Sequence, residues 1–171
     1  GTFVDRTEAL GLRLEYPANA CTMTWGLTMG DVDADGDLDL VMAAWSDKVV
    51  NVSSFASLLW RRGPDGTFTM ETLPVVLSHY GFGAAVADLD EDGIPDLPIA
   101  SDFLTNALLW GREDGTWVDG TEPAGVHTVD SAMGSVVMDL DADGDLDWLV
   151  TAVFDDRADR LEGYPHLGNM A

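Results

Sequence analysis

The stretch that decides the fold is Asp31-Val32-Asp33-Ala34-Asp35-Gly36-Asp37-Leu38-Asp39, and the chain contains the same pattern twice more. The further copies are Asp88-Leu89-Asp90-Glu91-Asp92-Gly93-Ile94-Pro95-Asp96 and Asp139-Leu140-Asp141-Ala142-Asp143-Gly144-Asp145-Leu146-Asp147. Each copy has carboxylates at positions 1, 3, 5 and 9 and a glycine at position 6. So many carboxylates within one short loop repel one another strongly unless a cation lies among them.

Alternate residues of a tight loop can all point inward, so each loop predicts an oxygen cage for a hard cation. Calcium fits best because it accepts about six to eight oxygens in a flexible geometry. We expect a positive φ at the glycine, and position 7 varies as suits a ligand that donates only its backbone carbonyl. The sequence thus predicts three calcium sites, with the ligands Asp31, Asp33, Asp35, Asp37 and Asp39; Asp88, Asp90, Asp92, Ile94 and Asp96; and Asp139, Asp141, Asp143, Asp145 and Asp147.

An EF-hand is the obvious competitor because its loop begins in the same way. That loop needs a bidentate Glu at position 12, where this chain has Met42, Ile99 and Val150. The flanks are apolar and strand-like rather than amphipathic helices. An EF-hand is therefore excluded, and a merely solvated acidic turn would have to arise three times by chance.

Composition restricts the classes of partner. The 171 residues carry a net charge of −23 with only 8 Lys and Arg, which argues against nucleic acid and against anionic membranes. The three loops hold five acidic residues each, or 15 of the 31 in the chain. A hydrophobic content of 46% with six Trp argues against a disordered acidic tail.

The sequence gives little direct indication of cellular location. It has no apolar run long enough to span a membrane and no signal peptide pattern, so we expect no membrane insertion. Because it begins with Gly1 rather than Met, we expect a processed product, an excised domain or a partial sequence. Cys21 is alone, which excludes an internal disulfide and favours a buried thiol. Calcium loops of this kind fill where calcium is near millimolar, which favours an extracellular or cell-surface location, or the periplasm.

The loops belong to a longer repeat. The loop starts are 57 residues apart (31 to 88) and then 51 residues apart (88 to 139). Five residues before each loop, a glycine follows a large residue, in Trp25-Gly26, Phe82-Gly83 and Met133-Gly134. An apolar segment lies on each side of the loop. A third follows as Leu58-Leu59-Trp60 or Leu108-Leu109-Trp110, and an Asp-Gly turn leads to a fourth. Four short strands per unit predict an antiparallel meander, and such units at this period are typical of β-propeller blades.

The ends of the chain fit the same unit. Residues 1–8 repeat residues 115–122 at an offset of 114, so we expect the fourth strand of an incomplete blade at Thr2-Phe3-Val4. Leu161-Glu162-Gly163-Tyr164 lies where the third strand of the last blade belongs. We divide the chain into that strand with a linker (1–24), blade 1 (25–81), blade 2 (82–132) and blade 3 (133–171). Pro98 has no N–H to donate to a ladder, so we expect incomplete pairing in blade 2.

The glycine-led strand, the Asp-rich loop and the following strand resemble the FG-GAP repeat of integrin α-subunit propellers and its bacterial VCBS-type relatives. The Leu-Leu-Trp segments and their Asp-Gly-Thr turns are similar to bacterial proteins related to cartilage acidic protein. The resemblance implies an all-β partial propeller in which loop aspartates bind calcium in a structural role. It also implies an extracellular scaffold for adhesion, with a protein or a glycan as its partner.

Other chemistry is less well supported by the sequence. The histidines fall at unlike repeat positions, which favours ordinary surface or core histidines over a zinc triad: His79, His127 and His166. No unique pair of carboxylates is marked out for acid–base catalysis, so we expect no enzyme. Trp60 and Trp110 are interpreted as equivalent core residues, and Arg61-Arg62 as a solvated turn. Trp25 and Trp45, near strand ends, are candidates for a ligand surface.

The sequence therefore predicts a calcium-binding β-propeller module that acts as a secreted binding scaffold. Two alternatives stay open. The chain could be the propeller domain of a secreted enzyme, or the structural half of a homo-oligomer in which a second copy completes the ring. Blades without neighbours would leave exposed edge strands.

Overall fold

The protein is described by a computed structural model that covers residues 1–14, 22–46, 57–73, 81–102, 106–126 and 131–152. Within those residues the chain forms β-strands and no helix, so the all-β prediction is confirmed. The strands are β1 (Thr22–Gly30), β2 (Asp39–Ser46), β3 (Leu58–Arg62), β4 (Phe68–Thr72), β5 (Gly81–Ala84), β6 (Leu97–Ser101), β7 (Ala107–Gly111), β8 (Trp117–Asp119), β9 (Ala132–Met138) and β10 (Asp147–Ala152).

These strands form three antiparallel sheets. Sheet 1 has the order β1-β2-β3-β4, sheet 2 the order β5-β6-β7-β8, and sheet 3 pairs β9 with β10. Each Asp-rich loop joins the first two strands of its sheet, and neighbouring strands follow each other along the chain. The meander predicted for each blade is therefore present in sheets 1 and 2. The third strand predicted for blade 3 lies outside the described residues.

Sheet 2 is packed between the other two. All five residues of β6 are buried. Leu97 and Ile99 belong to one cluster with Val41 and Leu59 of sheet 1. Ala100, further along β6, clusters instead with Ala132 and Val150 of sheet 3. Because successive side chains of a strand point to opposite faces, the near-continuous apolar run of β6 is what a strand between two layers requires.

The large residue before each repeat glycine forms a β-bulge. In the β1–β2 ladder Thr24 pairs with Ala44 and Gly26 with Ala43, which leaves Trp25 as the extra residue. The same register shift occurs at the equivalent place in the other two hairpins, where the extra residues are Phe82 and Met133. Gly26 also permits a close approach between sheets, because a Cβ there would lie 2.5 Å from the carbonyl oxygen of Phe82. The repeated large residue–glycine pair therefore marks a bulge rather than a regular strand start.

Pro98 interrupts the first ladder of sheet 2, as predicted. Ala85 donates its N–H to the carbonyl of Pro98 over 3.1 Å, but the proline has no N–H to return. The named strand β5 ends at Ala84, and one isolated bridge between Ala87 and Asp96 follows. The sheet still has four strands because Pro98 pairs with Leu108 on its other side.

The register of the third strands corrects the predicted equivalence of Trp60 with Trp110. Trp60 pairs with Leu40 in sheet 1, whereas Leu109 pairs with the corresponding Leu97 in sheet 2. Trp110 thus occupies the position of Arg61 rather than that of Trp60. A shift of one residue moves a side chain to the opposite face of the sheet, so only Trp60 is buried in the cluster that Leu58 and Met42 share.

The first residues differ from the prediction. Residues 1–6 form no strand, and Phe3 and Val4 are exposed. A fourth strand exists only beside a third strand, and the stretch expected to supply one, residues 161–164, lies outside the described part. The turn that follows does repeat at the predicted offset, since Leu10 N–H donates to the carbonyl of Arg6 as Ala124 N–H does to that of Gly120, both over 2.9 Å.

Candidate metal centre

The three loops share one backbone conformation. Their position-6 glycines all have positive φ, as predicted: 92° at Gly36, 87° at Gly93 and 106° at Gly144. Position 4 is also left-handed in every loop, although no glycine is there: 57° at Ala34, 60° at Glu91 and 63° at Ala142. Two left-handed residues two apart curl the chain so that its backbone N–H groups point toward its own carboxylates.

The position-1 carboxylate lies at the centre of each curl. Asp31 Oδ2 accepts the N–H of Gly36 over 2.9 Å, and Asp88 Oδ2 accepts that of Gly93 over 2.9 Å. In loop 3 the corresponding bond from Gly144 to Asp139 is 3.2 Å. Each loop is therefore shaped around its first aspartate by a bond that spans five residues.

Three carboxylates meet in each loop. Their ligand atoms lie within 4.8 Å of one another, and the sets are Asp31, Asp33 and Asp39; Asp88, Asp90 and Asp96; and Asp139, Asp141 and Asp143. The position-5 carboxylate accepts the N–H of position 7 in all three loops, from Asp37 to Asp35 over 2.8 Å, from Ile94 to Asp92 over 2.9 Å and from Asp145 to Asp143 over 3.0 Å. Loop 3 differs in that Asp143 joins its cluster and Asp147 does not.

The position-9 aspartates of loops 1 and 2 are buried and hold the loop to the third strand. Asp39 Oδ2 accepts the N–H of Val32 over 3.0 Å, and its Oδ1 accepts that of Arg62 over 2.8 Å. Asp96 does the same with Leu89 over 2.8 Å and Gly111 over 2.9 Å. Burial raises the pKa of both carboxyl groups above the ordinary 3.8, and these N–H donors oppose the rise. Sequence reasoning gave this aspartate only a metal-binding role.

One carboxylate oxygen tests whether these residues suit a cation. Asp88 Oδ1 is buried and has no hydrogen-bond partner in the structure. An ionised oxygen without a partner is strongly disfavoured away from water. It lies in the cluster with Asp90 and Asp96, so a hard cation held by oxygen ligands would satisfy it. The donor set, which is entirely carboxylate in its side chains, fits calcium or magnesium better than softer metals.

Arg61 and Arg62 contradict their interpretation as a solvated turn. Arg61 pairs with Asp33 over 2.9 Å and with Glu71 over 3.1 Å, and only 21% of its side chain is exposed. Arg62 pairs with Asp37 over 2.7 Å. Partial burial alone would lower the pKa of Arg61, but these carboxylates outweigh it and raise the pKa. The two arginines lie at the end of β3, beside loop 1. No local pattern in the sequence shows that they are close to this loop.

A contact between two carboxyl groups joins loops 2 and 3. Glu91, at position 4 of loop 2, lies beside Asp145, at position 7 of loop 3. The pKa of Glu91 is raised above its ordinary 4.5, chiefly by a hydrogen bond with Asp145 and secondly by electrostatic repulsion from the same carboxyl group. Neighbouring loops therefore repel one another here in the ionised state. The spacing within either loop gives no sign of this contact.

Trp25, a candidate for a ligand surface, stacks on Phe82 of sheet 2 with ring centroids 4.9 Å apart. It remains about half exposed. The side chain of Trp45, together with Cys21 and the three histidines, lies outside the described residues. No helix in the described ranges is long and apolar enough to cross a membrane.

Comparison with known families shows what these repeating hairpins are. The family model described as FG-GAP-like repeat matches residues 31–99 and again residues 88–150. Each match begins at the first aspartate of one loop and ends in the strand after the next loop, and together they cover more than half of the chain. The chain belongs to the FG-GAP-like repeat family.

Membership of the FG-GAP-like family agrees with the fold. Sheets 1 and 2 are four-stranded units of a β-propeller-like repeat module, and each Asp-rich loop closes the first hairpin of its unit. FG-GAP-like repeats are typical of extracellular proteins. A search of curated proteins found no match to the chain.

Proposed function

We propose that the chain is a calcium-binding β-propeller module in which the metal has a structural role, and that it serves as an extracellular scaffold for binding a protein or a glycan. The observation that carries the metal assignment is the repeated carboxylate cluster, together with the unpaired buried Oδ1 of Asp88. One calcium per loop would change the formal charge from −23 to −17, since three ions bring six charges.

The structural role follows from the position of the loops. Each cluster lies at the hairpin between the first two strands, and its position-9 aspartate also bonds to the end of the third strand in sheets 1 and 2. An ion in the cluster would therefore tie three strands together by neutralising the carboxylates between them. The scaffold role rests on the family and on the exposed ring of Trp25. The two alternatives, the propeller domain of a secreted enzyme and the structural half of a homo-oligomeric ring, stay predictions from the sequence.

Calcium removal tests the metal assignment. We expect EDTA to lower the melting temperature and added calcium, but not an equal concentration of sodium, to restore it. A single site held at 100 times its Kd contributes about 2.7 kcal/mol, which for a chain of this size is roughly 5–10 °C. Replacing the orphaned carboxylate, as Asp88→Asn, should reduce the gain, whereas Glu122→Gln, at an exposed residue outside the three loop sequences, is the matched control. An unchanged melting temperature with calcium would contradict the assignment.

The scaffold role has a separate readout. The calcium-loaded protein, labelled and applied to an array of glycans and purified extracellular matrix proteins, should bind a restricted set of ligands. That binding should be lost with EDTA and weakened by Trp25→Ala. Calcium-dependent stability without any saturable binding would keep the metal assignment and exclude these ligand classes.

A further inference from the structure

The first two loops have matching backbones but differ in the charged side chains that surround them. Loop 1 has two guanidinium groups paired with its carboxylates, at Asp33 and Asp37. In the described ranges, no ion pair joins an arginine or lysine to loop 2. Both loops carry five acidic residues, so the difference arises outside the loop itself.

The ladder register explains where the difference comes from. The N–H that bonds to Oδ1 of the position-9 aspartate comes from Arg62 in sheet 1 and from Gly111 in sheet 2. The residue before it is Arg61 in sheet 1 and Trp110 in sheet 2. The two positions that carry positive charge beside loop 1 therefore carry an indole and a hydrogen atom in sheet 2.

Arg61 also bridges the two sheets. Besides Asp33, its guanidinium donates to the carbonyl oxygen of Gly115 over 2.9 Å, in the turn between β7 and β8. Asp33, Arg61 and Gly115 line a cleft of about 380 Å³ together with Asp35, Glu113 and Asp114. The arginine thus holds loop 1 against sheet 2 by contacts that need no metal ion.

We propose that Arg61 and Arg62 are built-in counter-cations of loop 1, so that loop 1 keeps its shape without calcium and binds it more weakly than loop 2. The inference rests on the proposed calcium binding. Two fixed positive charges reduce the repulsion that a metal would otherwise relieve. A calcium ion that enters loop 1 must also share the carboxylate of Asp33 with Arg61.

The glycine amides give a reporter for each loop. Gly36 N–H donates to Asp31 and Gly93 N–H donates to Asp88, so the amide resonance of each glycine senses its own cluster. In a calcium titration followed by ¹⁵N NMR, the resonance of Gly93 should saturate at a calcium concentration at least tenfold lower than that of Gly36. In EDTA, the Gly36 amide should exchange with deuterium more slowly than the Gly93 amide.

The variant Arg61→Gln/Arg62→Gln removes the two charges but keeps the backbone N–H that Asp39 accepts. It should bring the midpoint of Gly36 close to that of Gly93 and remove the extra exchange protection. Arg6→Gln/Arg13→Gln is the matched control, because it removes the same net charge from exposed residues outside the three loops, Arg13 being paired with Glu8, and should leave both midpoints in place.

The outcomes separate this inference from the proposal beneath it. If no glycine amide responds to calcium, the proposed function itself fails. If both respond but Gly36 saturates with or before Gly93 in the unmodified chain, the inference about loop 1 is overturned while calcium binding stands. That comparison needs no variant, so it holds even if the double substitution prevents folding.

Discussion

At the scale of single residues, the loops depend on two left-handed positions with different chemistry. Position 6 is glycine in all three loops, but position 4 is alanine, glutamate or alanine at φ near 60°. A residue with a Cβ pays about 1–2 kcal/mol in the left-handed region. The loops retain this strain because the curl directs their N–H groups to the position-1 carboxylate.

Ala142→Gly should therefore stabilise the calcium-loaded protein. The relieved strain of about 1–2 kcal/mol exceeds the roughly 0.4–1 kcal/mol by which glycine favours the unfolded chain, which leaves a net gain of about 0.5–1 kcal/mol. Gly144→Ala, two residues away at φ 106°, should destabilise the protein by at least about 1 kcal/mol, because few side chains tolerate that angle. Urea unfolding in calcium measures both, and equal losses would contradict the geometry of position 4.

At the scale of elements, the position-9 aspartate connects a hairpin to the next strand. Asp96 is buried, and its two oxygens accept N–H groups from loop 2 and from the end of β7. Asp90, in the same cluster, is exposed. The two residues therefore separate a fastening role that needs no metal from a role that exists only with one.

Asp96→Ala should destabilise the metal-free protein by about 2–4 kcal/mol, since it leaves two backbone donors without an acceptor at roughly 1–3 kcal/mol each. In the same EDTA solution Asp90→Ala should change stability little or raise it, because an exposed like charge is removed. Its cost should emerge only when calcium is added. Denaturant unfolding of both variants with and without calcium makes the comparison. If the two variants behave alike in EDTA, the aspartate at position 9 has no role beyond metal binding.

At the scale of the whole molecule, the packing is uneven and the net charge is −23. Sheet 2 is covered on both faces, whereas β1 and β9 expose Leu27, Met29, Val136 and Met138. Arg61 joins loop 1 to the β7–β8 turn of sheet 2, whereas loops 2 and 3 meet through Glu91 and Asp145. Metal-free stability should therefore respond strongly to protons.

We expect the metal-free protein to become more stable as the pH falls from 7 through the raised pKa values of Asp39, Asp96 and Glu91. The raised pKa values of Asp39, Asp96 and Glu91 mean that the folded state binds these protons more readily than the unfolded chain. This stability is fully present below the ordinary values of 3.8 and 4.5 and is lost as the pH rises through the folded pKa values. Hydrogen bonds from Thr67 and Thr116 lower the pKa values of Asp65 and Asp114. These two groups therefore lose stability as the pH falls, but only below their ordinary pKa of 3.8.

With calcium bound the trend should reverse, because protons compete with the ion for the same carboxylates. Melting temperatures measured from pH 7 down to the ordinary carboxyl pKa of 4.5, in EDTA and in calcium, test both signs. Glu91→Gln should flatten the EDTA curve, since it removes one of the carboxyl groups in contact. A metal-free melting temperature that decreases as the pH decreases would contradict the raised pKa values.

The sequence by itself determined the features that depend on a few adjacent residues. The spacing of the aspartates sets the three clusters, the glycine at position 6 sets a positive φ, and Pro98 sets the break in the first ladder of sheet 2. These follow because turn geometry, ligand spacing and a missing N–H act within one short segment.

Only the tertiary structure decided what reaches those loops from elsewhere. It showed that Trp110 matches Arg61 rather than Trp60, because ladder register is set by the pairing of distant strands and not by a Leu-Leu-Trp motif. It also showed that Asp96 holds β7 and that Arg61 neutralises Asp33. Such contacts join residues that are 15 and 28 positions apart, so no local pattern specifies them. The carboxylates are thus a property of the sequence, and their counter-charges are a property of the fold.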